Sequence, residues 1–117
     1  QVRRGLFGTH CFVRRTYIDA HDEFLHEGYD HNFVDRELCG WAKHRRRFQY
    51  AEEAIVPHRH PLWRTAPWDL TYKKGKRHFV QDRDLFLSRA HLWGYRGLSP
   101  SEQRVARRQH RDIVKGR

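Results

Sequence analysis

Apolar residues recur along this chain at two spacings, and the spacing divides it into elements. From Asn32 to His44, the residues Phe33, Val34, Leu38, Trp41 and Ala42 follow the period of one helical face. Asn32 ahead of that run, with Asp35 three positions on, predicts an N-cap and a start resembling a capping box. Phe79, Val80, Phe86, Leu87 and Ala90 mark a second amphipathic helix. Ser99-Pro100-Ser101-Glu102 predicts a third: serine as N-cap, proline in the first turn and glutamate placed to reach back. Behind it only Val105, Ala106, Ile113 and Val114 are apolar among many arginines, so this helix reads as a partner-binding arm or a solvated tail. A short helix is expected from Arg14 to Ala20, an acidic loop over 21–28, and a further helix from Thr65 or Pro67 through Trp68, Asp69 and Tyr72 towards Lys74.

The remaining apolar runs are short and rich in aromatic or β-branched residues. Residues 5–13 (GLFGTHCFV) read as a turn and a short strand, while Arg47–Tyr50 and Ala54–Val56 read as two strands around the acidic pair Glu52-Glu53. These elements predict the α/β class, as an α+β fragment of short strands packed with amphipathic helices plus a basic C-terminal helix. The expected division is a packed domain over 1–95 and a basic helix or tail over 96–117.

Composition narrows the picture. A chain of 117 residues holds at most one domain with a modest core. Four Trp, five Tyr and seven Phe spread along it argue against disorder, despite 32% charged residues. The net charge of +10 favours phosphate-bearing partners: nucleotides, nucleic acid or an anionic surface. Basic clusters at 43–47, 73–77 and 104–111 suit phosphate contacts or plain solvation, and none comes with zinc-finger spacing, an RNP-like strand or a helix-turn-helix. Cys11 and Cys39 lie in no metal-type spacing and are expected to be two buried thiols in a reducing compartment. No apolar run approaches the roughly 20 residues that span a bilayer, and no signal peptide is visible, so a soluble, cytoplasmic protein is expected. The chain has no Met and opens at Gln1 in a basic, apolar-patterned stretch, which suggests the C-terminal part of something larger.

Three groups carry candidate chemistry. Asp35, in the first turn of a helix, is placed either as a general base or as a simple cap that complements the helix dipole. His58 and His60, two apart on a strand bracketed by Pro57 and Pro61, share one face and suit a divalent metal or ordinary hydrogen bonding. Asp82-Arg83-Asp84 matches the DxD pattern of nucleotide-sugar sites. It is rejected as a metal site, because residues two apart on a helix diverge by about 200°; a solvated helix face is expected instead.

In order along the chain come Gly8-Thr-His-Cys-Phe-Val-Arg-Arg15, Glu23-Phe24 with Tyr29-Asp30-His31, and Val34-Asp35-Arg36-Glu37-Leu38. Ala54-Ile-Val-Pro-His58 follows, then Pro67–Gly75, with Asp82, Phe86 and Arg89 beyond. This series resembles the C-terminal, acceptor-side half of a family 2-like glycosyltransferase of the GT-A fold, nearest to versions from bacteriophages and actinobacteria. The resemblance implies Asp35 as the general base and His58 as the ligand of Mn²⁺ or Mg²⁺, with His60 a lesser candidate. His31, Glu37, His60, Lys73 and Lys74 would then contact donor or acceptor. It also implies a nucleotide-sugar donor, a hydroxyl acceptor and an N-terminal donor-binding half as partner. The sequence departs from the pattern at Val34, where the motif is usually acidic, and the donor half with its DxD is missing. By this reading the chain alone is not a competent transferase. The rival readings are a non-enzymatic basic module that binds nucleic acid or a large assembly, and a degenerate transferase remnant.

Overall fold

The computed structural model describes Gly8, residues 10–54, Lys73 and residues 76–116. Among the described residues the α-helices α1 (Arg15–Asp19), α2 (Val34–His44), α3 (Phe79–Arg89) and α4 (Pro100–Lys115) follow one another. A 3-10 turn, Ala90–Trp93, continues directly from α3. Trp93, Phe86, Ala90 and Ala106 are wholly buried, and Leu98, Leu87 and Phe33 close around them.

Trp93 is the centre of this core. Its ring lies 5.6 Å from Phe86 and 5.9 Å from Trp41, and the Phe33 ring lies tilted 5.3 Å from Phe86. Its indole N–H donates to the Arg96 carbonyl at 3.1 Å, which satisfies the one polar atom that burial would otherwise orphan. Gly40 gives the ring its space: a Cβ there would stand 2.6 Å from Trp93 Cδ1 and 3.1 Å from the Arg96 oxygen. Gly94, at φ 66°, then turns the chain out of the 3-10 segment.

The start of α4 follows the sequence. Ser99 Oγ accepts from the Glu102 N–H at 3.3 Å, Glu102 Oε1 accepts from the Ser99 N–H at 2.9 Å, and Pro100 fills the first position. The helix packs inward through Ala106, a residue small enough to bring its backbone close to the core.

Several expectations are corrected. The expected α/β class is not seen: the described residues form helices and their connections and contain no strand. Among the described residues Cys11–Val13 and Arg47–Tyr50 have no ladder partner, and the Phe48 ring lies beneath the Lys43 ammonium at 4.9 Å. A short aromatic run becomes a strand only when a neighbouring edge takes its N–H and C=O groups; alone it is an extended connection. Residues 5–7, Ile55-Val56 and the helix expected from Thr65 to Tyr72 lie outside the described residues.

Asn32 does not cap α2 either. Phe33 holds that position in the left-handed region at φ 69°, with no side-chain cap. The preceding loop is held instead by Asp82, whose carboxylate accepts from the N–H groups of Asp30 (3.0 Å), His31 (2.9 Å) and Asn32 (2.7 Å). Asp82 was expected on a solvated face and is 1% exposed. Cys11, expected to be buried, is exposed. No described helix is long and apolar enough to cross a membrane.

Candidate functional site

The first turn of α2 gathers the charged residues that the sequence singles out. Asp35 is half-buried there, and its Oδ1 accepts from the Arg36 N–H at 2.8 Å. The next two residues, Arg36 and Glu37, are buried in the protein. Arg36 reaches Glu102 through two hydrogen bonds, 2.7 and 2.9 Å, and the Gly97 carbonyl at 2.9 Å, with its guanidinium 4.8 Å from the centre of the Phe86 ring. Glu37 accepts from Arg89 Nε and a second guanidinium nitrogen, both at 2.9 Å, from the Tyr29 hydroxyl at 2.7 Å and from the Trp41 indole at 3.2 Å.

Arg36 and Glu37 are buried and their partners Glu102 and Arg89 partly so, and the bidentate hydrogen bonds between them are what makes the buried charges tolerable. Burial pushes the Glu37 carboxyl up, but Arg89 and Tyr29 hold it below the usual carboxylate range. Burial likewise opposes ionisation of Glu102, yet the Arg36 and Ser99 hydrogen bonds hold it at about 2. The Tyr29 hydroxyl is driven up by burial and by its bond to Glu37, so it stays a donor. Two ion pairs on adjacent residues therefore anchor the helical turn that carries Asp35 to α3 and α4.

One turn further along α2, Cys39 Sγ lies 3.7 Å from Cys11 Sγ. The Asp35 carboxylate is close enough to both sulfurs to bear on their ionisation.

The other candidate residues divide. His31 is exposed, and its backbone N–H is the part used, on Asp82. Glu37 has its carboxylate occupied by Tyr29, Trp41 and Arg89. Lys73 is exposed and helical. His58, His60 and Lys74 lie outside the described residues, so the convergence of Asp35 with His58 does too. Among the described residues, no three His, Cys, Asp or Glu side chains gather as a metal cage. Sequence reasoning missed Arg36, Glu102 and the clamping role of Asp82. The signal was available in part: Arg36 and Glu37 stand three and four positions after Phe33, and so share its inward face.

A second feature lies on α4. Arg104, Arg107, Arg108, His110 and Arg111, with Tyr95 opposite, line an open concavity of about 480 Å³. The Arg107 guanidinium sits 4.1 Å from the centre of the Tyr95 ring. Among the described residues none of these arginines forms an ion pair with a carboxylate. His91 stacks on His110 at 4.1 Å beside them.

No family model, curated protein or solved structure matches this chain.

Proposed function

We propose that this chain is the acceptor-side portion of a metal-dependent inverting glycosyltransferase, with Asp35 as the base that accepts the proton of the attacking hydroxyl. One observation carries the reading. Asp35 stands in a helical turn whose next two residues, Arg36 and Glu37, are buried and each held in an ion pair, with Glu102 and with Arg89. A general base must be held in register with the hydroxyl it deprotonates, and a carboxylate on so firmly anchored a turn meets that need. The motif order from Gly8 to Arg89 supports the same assignment. A divalent metal held with His58 would supply charge stabilisation at the departing diphosphate.

The test is transfer by the full product of the reading frame, assayed with nucleotide-sugar donors, hydroxyl acceptors and Mn²⁺ or Mg²⁺. Asp35→Asn is expected to lower kcat by about 10²–10⁴-fold, the usual worth of a general base, with donor affinity little changed. Turnover at the wild-type rate in that variant removes Asp35 as base. A wild-type protein that neither binds nor turns over any nucleotide sugar ends the transferase reading.

The arginines of α4 favour a second reading, a basic module that binds nucleic acid through its phosphates. Four guanidinium groups on one helix without carboxylate partners among the described residues, beside an aromatic ring, form the kind of surface that tracks a polyanion.

A further inference from the structure

Cys11 and Cys39 are 28 positions apart in sequence, on an exposed segment before α1 and in the middle of α2, yet their sulfurs are in contact. Gly8 frames the pair with its backbone. Its N–H donates to Cys39 Sγ at 3.4 Å, and its carbonyl accepts from Cys11 Sγ at 3.8 Å and from Cys39 Sγ at 3.9 Å. The two thiols differ in access: Cys11 is exposed, whereas Cys39 is 2% exposed. An exposed sulfur backed by a buried one is the arrangement in which an external disulfide is attacked and then displaced.

We propose that Cys11 and Cys39 form a thiol–disulfide exchange site whose substrates are small anionic disulfides. The inference does not depend on the transferase reading. The hydrogen bond from Cys11, aided by the Gly8 N–H and against the effect of burial, draws the Cys39 thiol down to about 7. The same contact pushes Cys11 up, so once the pair has lost its first proton the two sulfurs share the one that remains.

The exchange then balances. Cys11 attacks one sulfur of the external disulfide RSSR while its proton passes to Cys39, which forms the Cys11–SR mixed disulfide and releases RS⁻. Cys39 next attacks Cys11 Sγ, the bond to the second RS breaks, and that group leaves as RSH with the shared proton. The dithiol has lost two electrons to the external disulfide, which departs as two thiol equivalents. Closing the sulfurs from 3.7 Å to the roughly 2.05 Å of a disulfide falls to the Cys11 side, where residues 11–14 belong to no helix. The net charge of +10 favours an anionic substrate such as oxidised glutathione.

The experiment is intact-mass analysis of the reduced, native chain after incubation with oxidised glutathione. The wild type is expected to lose about 2 Da, keep no glutathione and resist alkylation. Cys39→Ala should retain glutathione on Cys11, because the displacing thiol is gone. Cys11→Ser should stay unmodified while folded. Closure in native buffer should outpace closure in concentrated urea by at least about tenfold, since only the fold holds the sulfurs together. That comparison uses the wild type alone and needs no variant to fold. Stable glutathionylation of wild-type Cys11 without closure overturns the proposal, as do two unreacted cysteines or equal rates in urea.

Discussion

Glu37 occupies a position where a carboxylate survives only because every acceptor site is used. At 3% exposure it is served by Arg89, Tyr29 and Trp41 together. Glu37→Gln is expected to destabilise the protein by about 2–4 kcal/mol in urea titrations, because Arg89 then keeps only its longer contact with the more exposed Glu23, at 3.5 Å. Combining it with Arg89→Met should cost less than the sum of the two single changes. Asp35 makes the contrast, since Asp35→Asn removes a half-buried charge near a helix start and should shift stability by less than about 1 kcal/mol. Glu102 links this network to pH. Its carboxyl is lowered from 4.5 to about 2, so the folded state holds the proton less tightly than the unfolded chain. Its contribution is fully present above pH about 4.5 and is lost as pH falls towards about 2. Glu102→Gln should therefore flatten the acid limb of a stability–pH profile over that interval. An unchanged limb would show that Arg36 does not hold Glu102 in solution.

Among the elements, α2 and α4 start in opposite ways, and the difference explains what the sequence reveals. The cap of α4 is local: Ser99 and Glu102 are three positions apart and sit as the pattern implies. The loop before α2 is held by Asp82, which is 50 residues from Asn32, so no local pattern reports it. Asp82→Ala would orphan three backbone N–H groups and should cost about 2–4 kcal/mol, whereas exposed Asp84→Ala should stay within about 0.5 kcal/mol. Amide exchange at Asp30, His31 and Asn32 would report the loosened loop directly. The buried face of α2 was legible only in part. Phe33 and Trp41 mark it, but Arg36, Glu37 and Gly40 complete it, and hydrophobicity scores none of those three as core. Gly40→Ala would push a methyl group into Trp93 and should destabilise by about 1–3 kcal/mol, which thermal unfolding would show. The expected strands failed for a related reason: an aromatic, β-branched run describes a surface to be covered, and the tertiary contacts choose what covers it.

For the molecule as a whole, charge sets the discriminating measurement. If α4 binds nucleic acid, log affinity should fall linearly with log salt, with a slope of about −0.9 per phosphate neutralised on duplex DNA. Replacing Arg104, Arg107, Arg108 and Arg111 with Gln should then flatten that slope while leaving unfolding little changed, since all four are exposed. A slope unaffected by these changes would remove α4 as the phosphate surface. The sequence by itself determined what depends on near neighbours or on sums: the excess of positive charge, the amphipathic run of α2, the helical stretch of α3 though not its buried face, since Phe79 and Val80 are exposed and Asp82 is buried, and the capping box of α4. Only the tertiary structure decided the pairings: Asp82 with the 30–32 loop, Arg36 with Glu102, Glu37 with Arg89, and Cys11 with Cys39. These join residues 28 to 66 positions apart. A charged side chain reads as surface until the partner that makes its burial tolerable is known, and that partner is named by the folded chain rather than by its neighbours in sequence.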